Sequence, residues 1–335
     1  MSNGGSSGVS ADNLRKESST GTAIHRKDVC AILVTYHPDT EFRTRLSSIS
    51  RQVGAIVIVD NGSADTELIM LREIAANPAV ALALNFENLG LARGLNIGIQ
   101  RAATLGFPWV LLIDQDSHVD SDMVNTLFAI HGSFPERESL AIIGSNFRDI
   151  HRGLPGSDKC ASFGEQWEEV DWVITSGSLL PLAAYWDIGP FREDFFIDYV
   201  DTEYCMRARA KGYHVLKARR PLISHSIGTP TQHNFLWMKK WTTNHSADRR
   251  YYIARNNTVM LHEFGNYILG WWALKGFFSC FKHCRRIAMY EQSKVSKIVA
   301  VFLGWWDGVH GRLGPRSGRN HRKLLGEKPR AGSAG

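Results

Sequence analysis

The chain lacks a disulfide framework. Its five cysteines, at Cys30, Cys160, Cys205, Cys280 and Cys284, are odd in number and carry no paired spacing, which fits reduced thiols in a reducing compartment. Long apolar runs are also missing: the stretches at 267–281 and 298–306 fall short of the about 20 residues that cross a bilayer. The first 28 residues are polar and Gly/Ser-rich with no apolar h-region. They read as a flexible tail rather than a signal peptide, and a cytoplasmic protein is expected. The glycine-rich element at 85–98 is neither a G-x-G-x-x-G fingerprint nor a Gly-Lys-Ser/Thr P-loop. Cys280, His283 and Cys284 stand close together, but without a second pair nearby they make a poor metal motif.

The chain does have the stretch VLLIDQDSHV at 110–119, an apolar run leading straight into Asp114 and Asp116. A buried strand tolerates no unpaired carboxylate, so these side chains belong where the strand ends. Two readings compete. In one, both are turn residues, or Asp116 or Ser117 caps a following helix. On an extended chain, where side chains alternate with period two, both face one side and suit a hard divalent cation such as Mg²⁺.

The surrounding pattern sharpens the choice. Apolar runs at 29–34, 55–59, 80–84 and 109–113 read as strands buried on both faces, with helices at 41–52, 67–76 and 91–105 between them. This β-α-β-α-β-α-β order predicts a mostly parallel sheet with right-handed crossovers. Ligands of such sheets bind beyond the carboxyl ends of the strands, where Thr35, Asp60 and Asp114 all lie. The amides of the glycine-rich element and Arg93 suit a phosphate at a helix N-terminus; close packing of that helix on the sheet is the alternative.

Further on, residues 202–211 predict a helix starting near Asp201, with Gly212 at its C′ position. Asp201 is then an N-cap or a reactive carboxylate. Glu203 and Arg207 stand at i and i+4, as in a plain ion pair. Short strands come next at 215–218 and 222–225, the second ending in His225. Acidic strand ends, a phosphate-friendly loop and an acidic helix start suggest group transfer from a nucleotide diphosphate. A cation on Asp116 neutralises the leaving diphosphate. Asp60 accepts from a nucleobase N–H, and Thr35 offers backbone contacts. Asp201 or Glu203 serves as general base, and a neutral His225 completes the metal shell.

The ordered motifs V-T-Y at 34–36, V-D-N-G-S at 59–63, N-x-x-N-L-G-x-A-R-G-L-N-x-G at 85–98, L-L-I-D-Q-D-S at 111–117, F-I-D-Y-V-D-T-E-Y-C-M-R at 196–207 and S-H-S-I-G at 224–228 resemble inverting family 2 glycosyltransferases. The likeness is greatest to their bacterial rhamnosyltransferase branch. It extends to R-Y-Y-I-A-R-N-N at 250–257 and weakly to W-W-D-G-V-H-G-R-L-G at 305–314. The resemblance implies an α/β protein of GT-A fold, a Rossmann-like, mostly parallel sheet with flanking helices, joined to a C-terminal helical extension. It implies a D-x-D site for metal and ribose at Asp114 and Asp116, with Mg²⁺ or Mn²⁺ as cofactor and His225 joining the metal. It also implies that Asp60 reads a pyrimidine and that Thr35, Tyr36, Asn61, Arg93, Asn96 and Asp114 face the donor. Asp201 is the implied base, since its position before the helix matches. Asp198 then lies behind it, and Glu203 pairs with Arg207. The implied donor is dTDP-L-rhamnose, and the implied acceptor a lipid-linked glycan of surface polysaccharide or a glycolipid, as in rhamnolipid synthesis.

The expected organisation is a tail at 1–28, a catalytic domain at 29–257, a helical subdomain at 258–314 and a basic tail at 315–335. From Lys282 to Arg330 twelve Lys and Arg face only three acids, a balance that suits an anionic surface. Trp271, Trp272, Trp305 and Trp306 beside them favour either the inner face of the plasma membrane or core packing and a homodimer contact. A glycoside hydrolase needs two carboxylates but neither the D-x-D nor the glycine loop. Nucleic acid is not an expected partner, because the acidic strand ends repel a phosphate backbone.

Overall fold

Continuous apolar runs make the strands of this fold, because a strand buried on both faces has no polar side to offer. The computed structural model describes residues 25–149, 166–225, 231–235, 238–242, 244–265 and 271–316; at Asp149, His225 and the 231–242 segment it describes the backbone alone. Strands β1 (Val29–Thr35), β2 (Ala55–Asn61), β3 (Val80–Asn85) and β4 (Trp109–Asp114) are parallel, with Leu33 level with Ile58 on one side and Ile113 on the other. Helices α1 (Phe42–Ser50), α2 (Asp65–Ile74) and α3 (Leu91–Thr104) connect them. The carboxyl ends of β1, β2 and β4 therefore meet along one edge.

The sheet continues through β5 (His118–Val119), helix α4 (Met123–Ser133), β6 (Leu140–Asp149), β7 (Trp167–Glu169) and β8 (Ser178–Pro181). Helices α5 (Leu182–Ile188) and α6 (Val200–Ala210) precede the long strand β9 (His214–His225). The nine strands run in the order β3-β2-β1-β4-β8-β6-β9-β5, with β7 beside β9; β8 is antiparallel to both neighbours. The sequence pattern predicts two short strands where β9 runs unbroken. Pro221 interrupts the pattern in sequence, but it sits opposite Asn146, where β6 shifts register and the missing N–H is tolerated.

Glycine in α3 serves packing. A Cβ on Gly98 would lie 2.3 Å from Ile32 Cγ2, and one on Gly94 would lie 2.7 Å from Val34 Cγ1. The helix thus rests directly on β1. Gly98→Ala is expected to cost about 1–3 kcal/mol by overpacking. A denaturant melt checks this, and an unchanged midpoint would show that the helix can simply move away.

A short hairpin, β10 (Thr231–Phe235) with β11 (Met238–Thr242), leads to the helices α7 (Ala247–Phe264), α8 (Trp271–Tyr290) and α9 (Lys294–Val309). The boundary expected at 257/258 falls inside α7, so the helical unit begins earlier than the sequence pattern suggests. Helices α7 and α9 touch closely: a Cβ on Gly304 would lie 2.2 Å from the Tyr251 carbonyl oxygen. Buried Glu291 binds Arg250 of α7 and, at 2.9 Å, Lys297 of α9. One carboxylate so ties the three helices, since each buried cation finds its counter-charge there.

Candidate active site

The acidic motif is a tight turn rather than an extended run. Asp114 closes β4, and the Ser117 N–H donates back to the Asp114 carbonyl at 3.1 Å. Ser176 braces the turn: its hydroxyl accepts from the Asp114 N–H at 3.1 Å and lies 2.8 Å from the Ser117 hydroxyl. The side chain of Gln115, between the two aspartates, accepts from the Tyr36 N–H at 2.9 Å and donates to its carbonyl at 3.1 Å. This joins the ends of β1 and β4. Despite the turn, Asp114 and Asp116 border one open cavity of about 700 Å³, together with Tyr36, Asn61, Asp198 and Asp201.

Asp201 is the second residue of α6, not its N-cap. The preceding segment is bent into left-handed backbone at three non-glycine residues, Phe196, Asp198 and Tyr199, with φ of 64°, 62° and 63°. Such conformations persist only where surroundings enforce them. Here α7 does so. The buried Asn256 amide donates to the carbonyls of Phe195, Ile197 and Asp198 at 3.0, 2.9 and 2.8 Å. Arg255 adds bonds to the carbonyls of Asp194 and Phe195 at 2.9 and 3.0 Å.

Asp201 lines the cavity wall, partly buried, and the loss of solvent around it raises its pKa above the usual carboxylate value. The charge of Asp198 pushes it the same way, whereas bonds from the backbone N–H groups of Thr202, at 2.8 Å, and of Thr175 oppose the rise. A base made stronger in this way is better suited to take a hydroxyl proton near neutral pH.

One charged cavity residue had no expected role. Arg249, near the start of α7, grips Asp198 with Nε 3.1 Å from Oδ2 and Nη2 3.0 Å from Oδ1. It also feels the charges of Asp114 and Asp116. The signal lay beside the R-Y-Y-I-A-R-N-N segment, but nothing local tells a helix-start arginine from a surface one.

Several expected site residues are engaged elsewhere. Thr35 is fully buried, and its hydroxyl donates to Asp60 at 3.0 Å. Asp60, 1% exposed, also takes the Ser63 hydroxyl and the N–H groups of Gly62 and Ser63, at 3.0 and 2.9 Å, so it organises the loop beneath the cavity wall. Arg93 points to Glu193, 3.7 Å away. Asn96 staples α3 to the next layer: its amide donates to the Phe191 carbonyl at 2.8 Å, and its oxygen accepts from the Tyr185 hydroxyl at 2.8 Å. The glycine-rich element thus takes its packing role at these two positions, because the helix lies flush on the sheet.

Glu203 is buried and holds Arg207 by two bonds of 2.8 and 2.9 Å, the ion pair that the spacing predicts. Arg207 in turn donates to the carbonyls of Ile188 and Pro190, each at 2.8 Å. The backbone of His225 ends β9 level with Asp149, but its side chain lies outside the described residues. Cys280 packs into the helical core with its thiol pushed up to about 12 by burial, and no metal cluster of three His, Cys, Asp or Glu occurs among the described residues.

A parallel sheet whose strand ends present carboxylates, joined to a mixed extension and a helix that brings Asp201 to the same cavity, is the GT-A fold. Residues 30–135 match the family model described as glycosyl transferase family 2. They form a family 2 glycosyltransferase domain, and the chain is a glycosyltransferase. The dTDP-rhamnosyl transferase RfbF of Shigella flexneri is 24% identical over 302 residues, covering 86% of this chain and 97% of that protein. The mannosyltransferase PcManGT from Pyrobaculum calidifontis, solved with GDP-Man and Mn²⁺, aligns with a TM-score of 0.55 at 12% identity, over 86% of this chain and 88% of its own. S. aureus TarS 1–349 with UDP-GlcNAc aligns at 0.53 and 15% identity, over 84% and 81%. Both structures share the fold.

Proposed function

We propose that this chain transfers L-rhamnose from dTDP-L-rhamnose, with inversion, to a hydroxyl of a lipid-linked glycan or glycolipid in surface polysaccharide or rhamnolipid assembly. The observation that carries the reading is the single cavity bordered by Asp114, Asp116 and Asp201. The choice of sugar is supported by the likeness to the Shigella flexneri rhamnosyl transferase along nearly all of that protein's length. Tyr36 and Asn61 line the side of the cavity where the nucleotide fits.

Asp114 and Asp116 offer hard carboxylate oxygens at an open cavity edge, which fits Mg²⁺ or Mn²⁺ sharing its shell with a diphosphate. When bound, the ion supplies charge to the leaving diphosphate. His225 as a further ligand rests on the resemblance. Asp201 accepts the proton of the acceptor hydroxyl as its oxygen attacks the anomeric carbon, on the face opposite the departing dTDP. One displacement of this kind inverts the centre. Arg249, held by Asp198, brings a cation to the same cavity. The test is release of dTDP or UDP from a panel of nucleotide sugars; a preference for any sugar other than rhamnose would overturn the donor assignment.

Binding at an anionic membrane face belongs to the same proposal, and the support is the exposed side of α8. Trp271, Leu274, Phe278 and Phe281 keep helical spacing and are 62%, 41%, 59% and 51% exposed. Trp305 instead turns inward and donates to the Ala273 carbonyl at 3.0 Å. Helix α8 carries Lys275, Lys282, Arg285 and Arg286 and no acidic residue. Two copies meeting through this face would bring like charges together, so a lipid headgroup layer suits it better than a homodimer. No helix among the described residues is long and apolar enough to cross a membrane. Phosphatidylglycerol vesicles should pellet the protein at low salt, and phosphatidylcholine vesicles much less. Reversing Lys282, Arg285 and Arg286 to Glu should remove about 1 kcal/mol per residue or more. Equal pelleting with both lipids would refute the surface assignment.

A further inference from the structure

A second cavity of about 640 Å³ opens beside the first, and the two share Phe147, Trp172 and Ile174. The indole of Trp172 is half exposed, between β7 and β8, and lines both cavities. The segment that carries it also reaches the base, because the backbone of Thr175, three residues on, bonds to Asp201.

Sheet order separates the two sides of the site. Tyr36 and Asn61 come from the ends of β1 and β2, on one side of β4. Trp172 and Phe147 come from the β6 and β7–β8 region, on the other side. A nucleotide seated against the first group leaves the second free for the attacking molecule. An acceptor hydroxyl reaching Asp201 from there passes over the indole.

The chemistry of the second cavity identifies the kind of acceptor. Its lining combines Trp172, Phe147 and Val173 with Glu169, Asp171, Arg209 and Lys217, charged groups already paired as Arg209 with Asp171, Glu169 with His214 and Lys217 with Glu168, so that their remaining donor and acceptor sites face the cavity edge. An acyl chain needs a continuous apolar wall, and these four charges break it. A sugar ring presents an apolar C–H face with hydroxyls around its rim. That face fits a Trp ring, and the hydroxyls fit charged hydrogen-bonding partners at the edge.

We propose that Trp172 and the adjoining cavity form the acceptor subsite, and that the subsite takes a saccharide rather than a hydroxy-fatty acyl group. The proposal rests on the glycosyl-transfer reading and selects between the acceptor classes that reading leaves open. Trp172 is a positioning residue: it presents a hydroxyl to Asp201 and does not touch the donor.

The test uses the full chain with p-nitrophenyl glycosides of rhamnose and N-acetylglucosamine and with methyl 3-hydroxydecanoate as acceptor probes. Binding of dTDP is measured separately by calorimetry. For the better glycoside, Trp172→Ala should raise the acceptor KM about tenfold or more, the loss of one aromatic stacking contact. The dTDP affinity should stay within twofold, and Trp172→Phe should recover most of the loss. An unchanged acceptor KM in Trp172→Ala, or preference for the hydroxyacyl ester over both glycosides, would overturn the subsite. If the native protein binds no dTDP with Mg²⁺ or Mn²⁺, the glycosyl-transfer reading falls as well, a failure that calorimetry separates from the first.

Discussion

Asp201→Asn should bind the donor nucleotide normally yet turn over about 10²–10⁴-fold more slowly, because asparagine keeps the shape but accepts no proton. Its oxygen can still take the Thr202 N–H, so α6 keeps its first turn. The same variant should be more stable than the native protein at neutral pH. Burial raises the pKa of Asp201 above its ordinary 3.8. A carboxyl raised by folding contributes stability below its unfolded value, and that contribution is lost as pH rises through the folded value. At neutral pH the ionised group is therefore a net cost, which asparagine removes. A calorimetric melt and a kcat measurement test the pair of effects together. In the native enzyme the acid limb of kcat/KM should lie above pH 3.8, and Asp198→Asn should move it lower by removing a neighbouring negative charge. Glu203→Gln should cost much less activity, since Glu203 is engaged with Arg207. A dead Glu203→Gln beside an active Asp201→Asn would reassign the base.

Asp116→Ala should lose transfer almost completely while remaining folded. The side chain is exposed on the turn after β4 and contributes nothing to the core. Losing metal-assisted charge stabilisation is worth several kcal/mol, or about 10³-fold in rate. Calorimetric titration with dTDP should show weaker binding in the presence of Mg²⁺ or Mn²⁺ and little change in their absence. Near-native turnover with either ion would mean that Asp116 is a turn residue only. The substitution is a clean test, because it leaves in place the Ser117 and Ser176 bonds that hold the turn closed.

The parallel half of this protein was determined by local sequence alone. Four apolar runs separated by helical stretches have few ways to bury themselves, and right-handed crossovers place their carboxyl ends on one edge. Asp114 and Asp116 were legible because a carboxylate cannot stay inside such a strand. The helix at Asp201 was legible too, with Gly212 after it at φ 87°. Tertiary structure alone decided the rest. The sequence placed Asp60 and Asn96 at the donor, yet in the fold they bond to residues brought against them from elsewhere: Thr35 lies 25 positions from Asp60, and Phe191 lies 95 from Asn96. Arg249 enters the cavity only because α7 packs against the bent segment at 195–199. Arg255 and Asn256 hold that bend from about 60 residues further along the chain, paired to its carbonyls at separations of 58 to 61 positions. Periodicity reports which face of an element is buried, but not which distant carbonyl a buried amide will meet, and here that meeting positions the loop that carries Asp198 and leads into Asp201.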